Sequence, residues 1–436
     1  MTQRSAIADT ICRTIELGVS ITDAAIDAED RTHLFCELLA PGNVCPACGQ
    51  SGRLRDHVDR EVADLPIVGH PTRLHLRVPR YVCSNLACAT SIFRADITSI
   101  VAPRTQVTRR TTTWIMRRMI LDKMSVTAVA ASVGLGWNTV NTLALDAARK
   151  LAAAPDRLAG VRVLGVDEHK WKHVRGEGDS SFVTVLVDLT PIVDGTGPAR
   201  LLDVVAGRSK AALKDWLDAR DQSFRDRIRV VTMDGFAGYH TATAEALDKA
   251  RTVMDPFHVV HLAAQKLTLC RQRVQQDTCG HRGRSGDPLF GIRRTLLTRI
   301  GLLSDKQATK LQTGLDARDE HVAVSVTHAV YQDLIGAYEH PDKRAGKIAM
   351  YKLLKRIRTG LPAGLCELAQ LGRSLWARHR EILAYFDTGA SNGPVEAING
   401  RLEHLRGIAL GFRNLGHYIL RSLIHSGQLA ERLDAL

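Results

Sequence analysis

Acids that end apolar strands and cysteines set in paired turns are the residues of this 436-residue chain best suited to chemistry. The stretch VRVLGVDEHKW (residues 161–171) reads as a buried strand that meets a carboxylate, Asp167. The stretch RIRVVTMDG (227–235) does the same and meets Asp234. Two carboxylates converging at adjacent strand ends repel unless a cation lies between them. Hard divalent ions such as Mg²⁺ take such oxygen ligands readily. Two metals ~3.5–4 Å apart can activate an attacking oxygen and stabilise a leaving one, which is phosphoryl-transfer chemistry. For either Asp alone, a strand-end residue capping the next loop is the plainer reading. A third acid is best sought in DTGASNGPVEAINGRLEHLRGIALGFRN (387–414). There Ser391, Asn392 and Gly393 open a helix, Pro394 fits its first turn, and Glu396 follows. On local sequence a capping glutamate stays open for Glu396.

Cysteines give a second kind of chemistry. VCPACGQ supplies Cys45 and Cys48, and VCSNLAC supplies Cys83 and Cys88. Each short turn aims two thiolates at one point, and two such turns complete a tetrahedral sulfur site for one structural zinc ion. Between them RLHLRVPRYVC alternates Leu74, Leu76 and Val78 with basic residues, a strand pattern. A zinc ribbon follows, closed and without catalytic function. Cys12, Cys36, Cys270, Cys279 and Cys366 are scattered and expected to be structural.

These groups need a frame to position them. Strand candidates run Val161–Val166, Ser181–Leu189 and Ala199–Gly207. A helix over SKAALKDWLDAR comes next, then the strand Arg227–Gly235, another helix, and a short strand RTVMD. Three strands, then helix, strand, helix, strand is the order of a ribonuclease-H-like fold, with the fourth strand parallel beside the first. PIVDGTGP (191–198) looks longer than a tight turn between the second and third strands. DPFHVVH offers Asp255, His258 and His261; His258 is expected near the acidic site, against a plain packing or capping role. Glu168 is expected to point elsewhere and Asp188 to be a turn residue.

Upstream, TTTWIMRRMILDKM has helical spacing, with Arg117 and Arg118 off its apolar face. Ser125 can cap a short helix, GLGWN supplies a turn, and a second helix starts near Asn138. This is the helix-turn-helix pattern, although a plain three-helix bundle could produce it. Trp137, Asn138, Thr139 and Asn141 would lie where a recognition helix meets DNA.

Charge agrees with a polyanionic partner. The net charge is +13. Residues 101–150 and 261–300 each hold eight Lys/Arg against two Asp/Glu, and 341–380 hold ten against two. Discrete basic blocks fit several separate contacts with double-stranded DNA. No run of ~18 apolar residues suggests a spanning helix. The N-terminal residues do not read as a signal peptide. A cytoplasmic protein with no membrane partner is expected.

The quoted motifs resemble the ISL3-type transposases of bacterial insertion sequences, over most of the chain. The paired cysteine turns with DREVADLPIVGHPTRLHLRVPRYVC look like that family's zinc ribbon. GVDEHKW, VTMDGFAGYHTAT…MDPFHVV and SNGPVEAINGRLEHLRGIALGFRN look like its three acidic motifs. The resemblance implies a DDE recombinase in which Asp167, Asp234 and Glu396 hold two Mg²⁺ ions, with Mn²⁺ as a substitute. It implies binding of inverted-repeat ends and target DNA, strand cleavage and strand transfer, and a homodimer or larger active complex on the nucleoid. The rivals are a ribonuclease-H-like nuclease without strand transfer, and a DNA-binding regulator with a vestigial site.

The expected architecture is multidomain α+β. Residues 1–100 form an N-terminal segment and zinc ribbon, and 101–155 the helix-turn-helix. Residues 156–262 begin a ribonuclease-H-like catalytic domain, 263–386 interrupt it with an all-α insertion, and 387–436 complete it with the Glu396 helix. QQDTCGHRGRSGDP (275–288) is expected to be an exposed loop.

Overall fold

A computed structural model describes residues 3–173 and 181–435. The chain divides into two units. One holds the residues up to Arg157 and those from His404 on, the other Leu158–Glu403.

The first unit begins with helix α1 (Gln3–Cys12) and strands β1 (Val19–Ile26), β2 (Thr32–Leu38), β3 (Gly52–Ile67), β4 (His70–Cys83) and β5 (Ile92–Arg94). The sheet order is β1-β2-β4-β3, with β5 on β4. The alternation that predicts β4 is real: Leu74, Leu76 and Val78 are buried. β1 and β2 were not expected. The outer half of β1 faces solvent and carries no alternating apolar signal.

Three helices follow: α2 (Arg109–Ile120), α3 (Val126–Val133) and α4 (Trp137–Ala152). Thr108 and Ser125 cap the first two by accepting a backbone N–H, as their side chains favour. Gly134 ends α3 with φ of 60°, a left-handed turn suited to glycine. The buried Arg73 of β4 donates to the carbonyls of Val133 and Gly134, 3.2 and 2.5 Å away. Buried Asp64 of β3 accepts from Thr108 (2.7 Å) and from the Arg110 guanidinium (2.8 Å). The ribbon's sheet is thus tied to the start of α2 and the end of α3 by charged hydrogen bonds.

The second unit carries strands β6 (Val163–Lys170) and β7 (Phe182–Asp188), the short helix α5 (Thr190–Asp194), and β8 (Arg200–Ala206). Helices α6 (Lys210–Asp218) and α7 (Gln222–Arg227), strand β9 (Val230–Met233), α8 (Ala237–Ala246) and β10 (Arg251–Met254) follow. The sheet order is β10-β9-β6-β7-β8. β6, β7 and β8 pair antiparallel, and β9 lies parallel to β6. This is the strand arrangement expected of a ribonuclease-H-like sheet. The long connection before β8 is not open loop: α5 occupies it, ended by Gly195 in the left-handed conformation.

Alternation along β6 and β9 sorts the two faces of the sheet. Leu164, Val166, Val231 and Met233 pack with Leu213, Trp216, Tyr239 and Ala242 of α6 and α8. Gly165, Asp167 and Thr232 belong to the opposite face.

An α-helical insertion then intervenes. It comprises α9 (Pro256–Cys279), α10 (Pro288–Gly291), α11 (Asp305–Leu315), α12 (Val322–Glu339), α13 (Lys343–Arg358), α14 (Cys366–Ala377) and α15 (His379–Thr388). Its core includes Val259, Leu267, Leu334, Met350, Leu354, Leu368 and Leu371. The loop expected at 275–288 begins later, because α9 continues to Cys279 and buries Gln275.

Helix α16 (Gly393–Ile408) returns to the open face of the second sheet. Finally α17 (Leu415–Ser426) packs on α2 and α4. The segment expected as one piece, 387–436, therefore contributes to both units.

Candidate functional site

The cysteine site follows from one hairpin. β3 and β4 pair Gly52 with Cys83, which brings the turn before β3 against the turn after β4. All four cysteine sulfurs lie within 4.8 Å of one another. Cys45 Sγ is 3.9 Å from Cys88 Sγ, and Cys48 Sγ is 3.5 Å from Cys83 Sγ. A zinc tetrahedron with Zn–S of about 2.3 Å has edges of about 3.8 Å, so the residues fit the ion. Of the other cysteines, Cys36 and Cys270 are buried, while Cys366 is exposed and makes no core contribution.

The acidic site is built where β9 ends beside β6. The two strands pair in parallel, with Gly165 opposite Thr232 as the last pair. Asp167 is not a strand-end residue as expected: β6 continues to Lys170, because it goes on pairing with β7. Asp234 follows directly after β9, close enough for its charge to act on Asp167. Asp167 is buried, and burial together with the Asp234 carboxylate pushes it up to about 7; Glu396 adds to the effect. Asp234 accepts the Phe236 backbone N–H at 2.9 Å. Burial of repelling carboxylates has no folding benefit, so the arrangement suits a cation.

Glu396 arrives on α16, and α16 approaches the sheet at a glycine. A Cβ on Gly165 would lie 2.4 Å from Val395 Cγ2, so a larger residue would push the helix away. Asn392 fixes the helix start and is fully buried. Its Oδ1 accepts from Thr232 Oγ1 (2.9 Å), its Nδ2 donates to the Val166 carbonyl (3.3 Å), and its N–H donates to Asp255 (2.7 Å). One asparagine thus ties β6, β9 and the end of β10 to the helix. One turn beyond Glu396, Asn399 Nδ2 donates to Asp167 Oδ2 at 3.0 Å.

Glu396, Asp255 and His258 offer ligand atoms within 4.8 Å of one another. His258 is therefore beside the acidic site, as expected, and Asp255 caps α9 by accepting the Phe257 N–H. His261 faces Gln265 at 2.9 Å. Glu168 accepts from Arg208 at 3.2 Å, but it is not turned away from the site as expected: both residues line the cleft that Asp234 borders. Asp188 is a turn residue, accepting the Thr190 N–H at 2.9 Å and pairing with Arg200. Sequence reasoning missed Asn399 and the tying role of Asn392. The one available signal was that Asn399 lies three residues after Glu396, on one helix face.

The helix-turn-helix keeps Trp137, Asn138 and Thr139 exposed at the start of α4. Asn141 is a correction. It is buried, because it shares a stripe with Ala144, Leu145 and Ala148 at helical spacing, and it has no face to offer DNA. Arg117 is about half exposed, within 3.7 Å of Asp434; Arg118 pairs with Asp122 at 2.6 Å and lies over Trp114.

Residues 164–422 match a family described as the ISL3-type DDE "Transposase". The chain belongs to the ISL3 transposase family. Residues 41–88 match the zinc-finger of transposase IS204/IS1001/IS1096/IS1165, and 97–148 the helix-turn-helix domain of transposase family ISL3. The chain is similar to the transposase for insertion sequence element IS1001 of Bordetella parapertussis: 25% identical over 93% of this chain and 94% of that protein. It is also 26% identical to the transposase for IS1557 of Mycobacterium tuberculosis, over 66% of each. A solved structure, the Drosophila P element transposase strand transfer complex, covers 73% of this chain and 92% of its own at TM-score 0.36 and 12% identity. That likeness is too distant to bear on the chemistry. This ISL3 member is thus a DDE transposase, an enzyme acting on DNA, with a structural zinc ribbon. Among the described residues no helix is long and apolar enough to cross a membrane.

Proposed function

We propose that Asp167, Asp234 and Glu396 bind two Mg²⁺ ions, or Mn²⁺ in their place, and that this site cuts and rejoins DNA at the ends of an insertion sequence. The reading is supported by the pairing of β6 with β9 and by the repulsion of buried Asp167 by Asp234 and Glu396. When bound, the metals supply Lewis acidity to the attacking and leaving oxygens. The chain's own residues do the rest. Asp167 presents negative charge from within β6 and Asp234 from just past β9. Asn399 holds Asp167 Oδ2 and the Glu168 N–H holds Oδ1, so the carboxylate's orientation is fixed. Asn392 sets the helix that delivers Glu396. His258 lies against Glu396 and steadies its carboxylate.

Water is the nucleophile for cleavage, and the freed 3′-hydroxyl attacks target DNA for transfer. No side chain forms a covalent intermediate with DNA. The ribbon and the exposed start of α4 bind the inverted-repeat ends, with Trp137, Asn138 and Thr139 at the DNA and Arg117 toward its phosphates. The helical insertion holds flanking or target DNA on exposed basic residues of α13, among them Lys352, Lys355 and Arg356. Because two ends must be joined, the active complex is a dimer or larger.

The test incubates the protein with Mg²⁺ and duplex DNA carrying the repeats that border its gene, and maps the broken phosphodiesters. Cuts at the repeat termini, and joined products from pre-cut ends, are expected. Cutting without joining would reduce the enzyme to a nuclease. Undiminished cutting by Asp167→Asn would discard the site.

A further inference from the structure

Beside Asp234 a cleft of about 540 Å³ opens between the strand ends and helices α9 and α14. Its size falls within the roughly 300–1,000 Å³ range of small-ligand pockets. Asp234 and Phe236 form one side, Met254 and Leu262 add apolar surface, and Gln265 and Arg378 bring polar groups. Glu168, Arg208, His258 and His261 also line it. Apart from Asp234 and His258, these residues have no part in the proposed metal site, and a cleft of this make-up beside a phosphate-cutting site calls for an occupant.

Phe236 is the informative residue. Its ring is 37% exposed, yet it is fixed in place. The buried Tyr239 meets it edge-on at 5.0 Å between centroids. Gly238 lies directly beneath it: a Cβ there would sit 2.3 Å from the Phe236 ring. Tyr239 is itself anchored by its hydroxyl, 2.8 Å from Thr184 Oγ1. A residue kept as glycine so that a neighbouring ring can lie flat, with the ring left open to a cleft, is arranged to present an aromatic face. Across the cleft, Arg378 donates to the Gly235 carbonyl at 2.6 Å and pairs with Glu381 at 2.7 Å, so the guanidinium is also held.

An aromatic face, an apolar patch, an amide and a fixed guanidinium beside the reacting phosphate match one ligand chemistry. We propose that the cleft takes a single nucleotide extruded from the duplex next to the scissile phosphate, with its base stacked on Phe236. The inference rests on the proposed cutting site at Asp167, Asp234 and Glu396. Bases of any sequence can stack on an aromatic face, and extrusion is easiest where pairing is already weakened. Gln265 offers hydrogen bonds to the base edge, and Arg378 offers charge to the adjoining phosphate.

The experiment uses the full chain, Ca²⁺ in place of Mg²⁺, and the repeat-end duplex with 2-aminopurine placed in turn at each nucleotide flanking the cut. One position is expected to brighten severalfold on binding. Phe236→Leu, which keeps apolar bulk, should lose that signal and slow Mg²⁺-dependent cutting roughly tenfold, the order expected for one lost base–aromatic stack. Phe236→Tyr should retain both. A mismatch at the bright position should restore cutting by Phe236→Leu. If the wild-type protein cuts this DNA but no flanking position brightens, or if Phe236→Leu brightens as the wild type does, the cleft does not hold an extruded base. If the wild type cuts no end at all, the cutting site itself is lost and this inference with it.

Discussion

The four cysteines and the three proposed catalytic acids of this transposase are brought together in opposite ways. The cysteines lie in two short turns at the ends of one hairpin, and their sulfurs already stand at zinc-tetrahedron spacing. The carboxylates come from two strands and a helix separated by most of the catalytic unit, and they oppose one another electrostatically. A structural ion can be enclosed by local geometry alone. A catalytic one needs open ligand positions, so its acids must be held apart from one another by outside groups. Here those groups are Asn392, Asn399 and the bare Gly165.

The contrast can be broken or sharpened experimentally. The largest effect is expected at the cysteines. Cys48→Ser should reduce bound zinc from one per chain to none by elemental analysis and unfold the ribbon, since structural zinc contributes on the order of 10 kcal/mol. Asp167→Asn should leave that zinc in place, and its loss there would erase the distinction between the two sites. Next, Asp167→Asn, Asp234→Asn or Glu396→Gln should each lower end cleavage by about 10³-fold or more, while the melting temperature stays level or rises. Asn399→Ala should have a smaller effect, roughly 10- to 100-fold in cleavage, with a raised metal requirement and zinc unchanged. An equal loss at every metal concentration would show that Asn399 does not act through Asp167.

The smallest effect is a pH dependence. Asp167 has a higher pKa in the folded metal-free chain than when unfolded. Its contribution to stability is therefore fully present below pH about 3.8 and is lost as pH rises through about 7. The melting temperature of Asp167→Asn relative to wild type, both without divalent metal, should climb across that window. A flat difference would mean that Asp167 is not buried among repelling charges.

Legibility follows the same division. Cys45, Cys48, Cys83 and Cys88 are readable because spacing within a turn fixes where sulfurs point. Asp167 and Asp234 are readable because each follows an apolar run in a recognisable order of elements, although β6 continues past Asp167 to Lys170. Asn392 and Asn399 were not, since their partners Thr232 and Asp167 lie 160 and 232 residues away. Nothing in the neighbourhood of an asparagine announces such a bond. The burial of Asn141 was readable in principle, for it shares the spacing of Ala144, Leu145 and Ala148. Strands β1 and β2 escaped because β1 has too little alternating apolar character to mark a strand.

The return of α17 to α2 and α4 sets an order of events during synthesis. The helix-turn-helix is made well before α17, yet its core is closed by that helix, with buried Tyr418 and Leu423 among the closing residues. Lys123, made early, donates to the carbonyl of His425, made late, at 2.6 Å. The first unit is thus completed only after the catalytic segment has been made. A chain cut before α17 would carry Asp167, Asp234 and Glu396 and still lack part of the helix-turn-helix core.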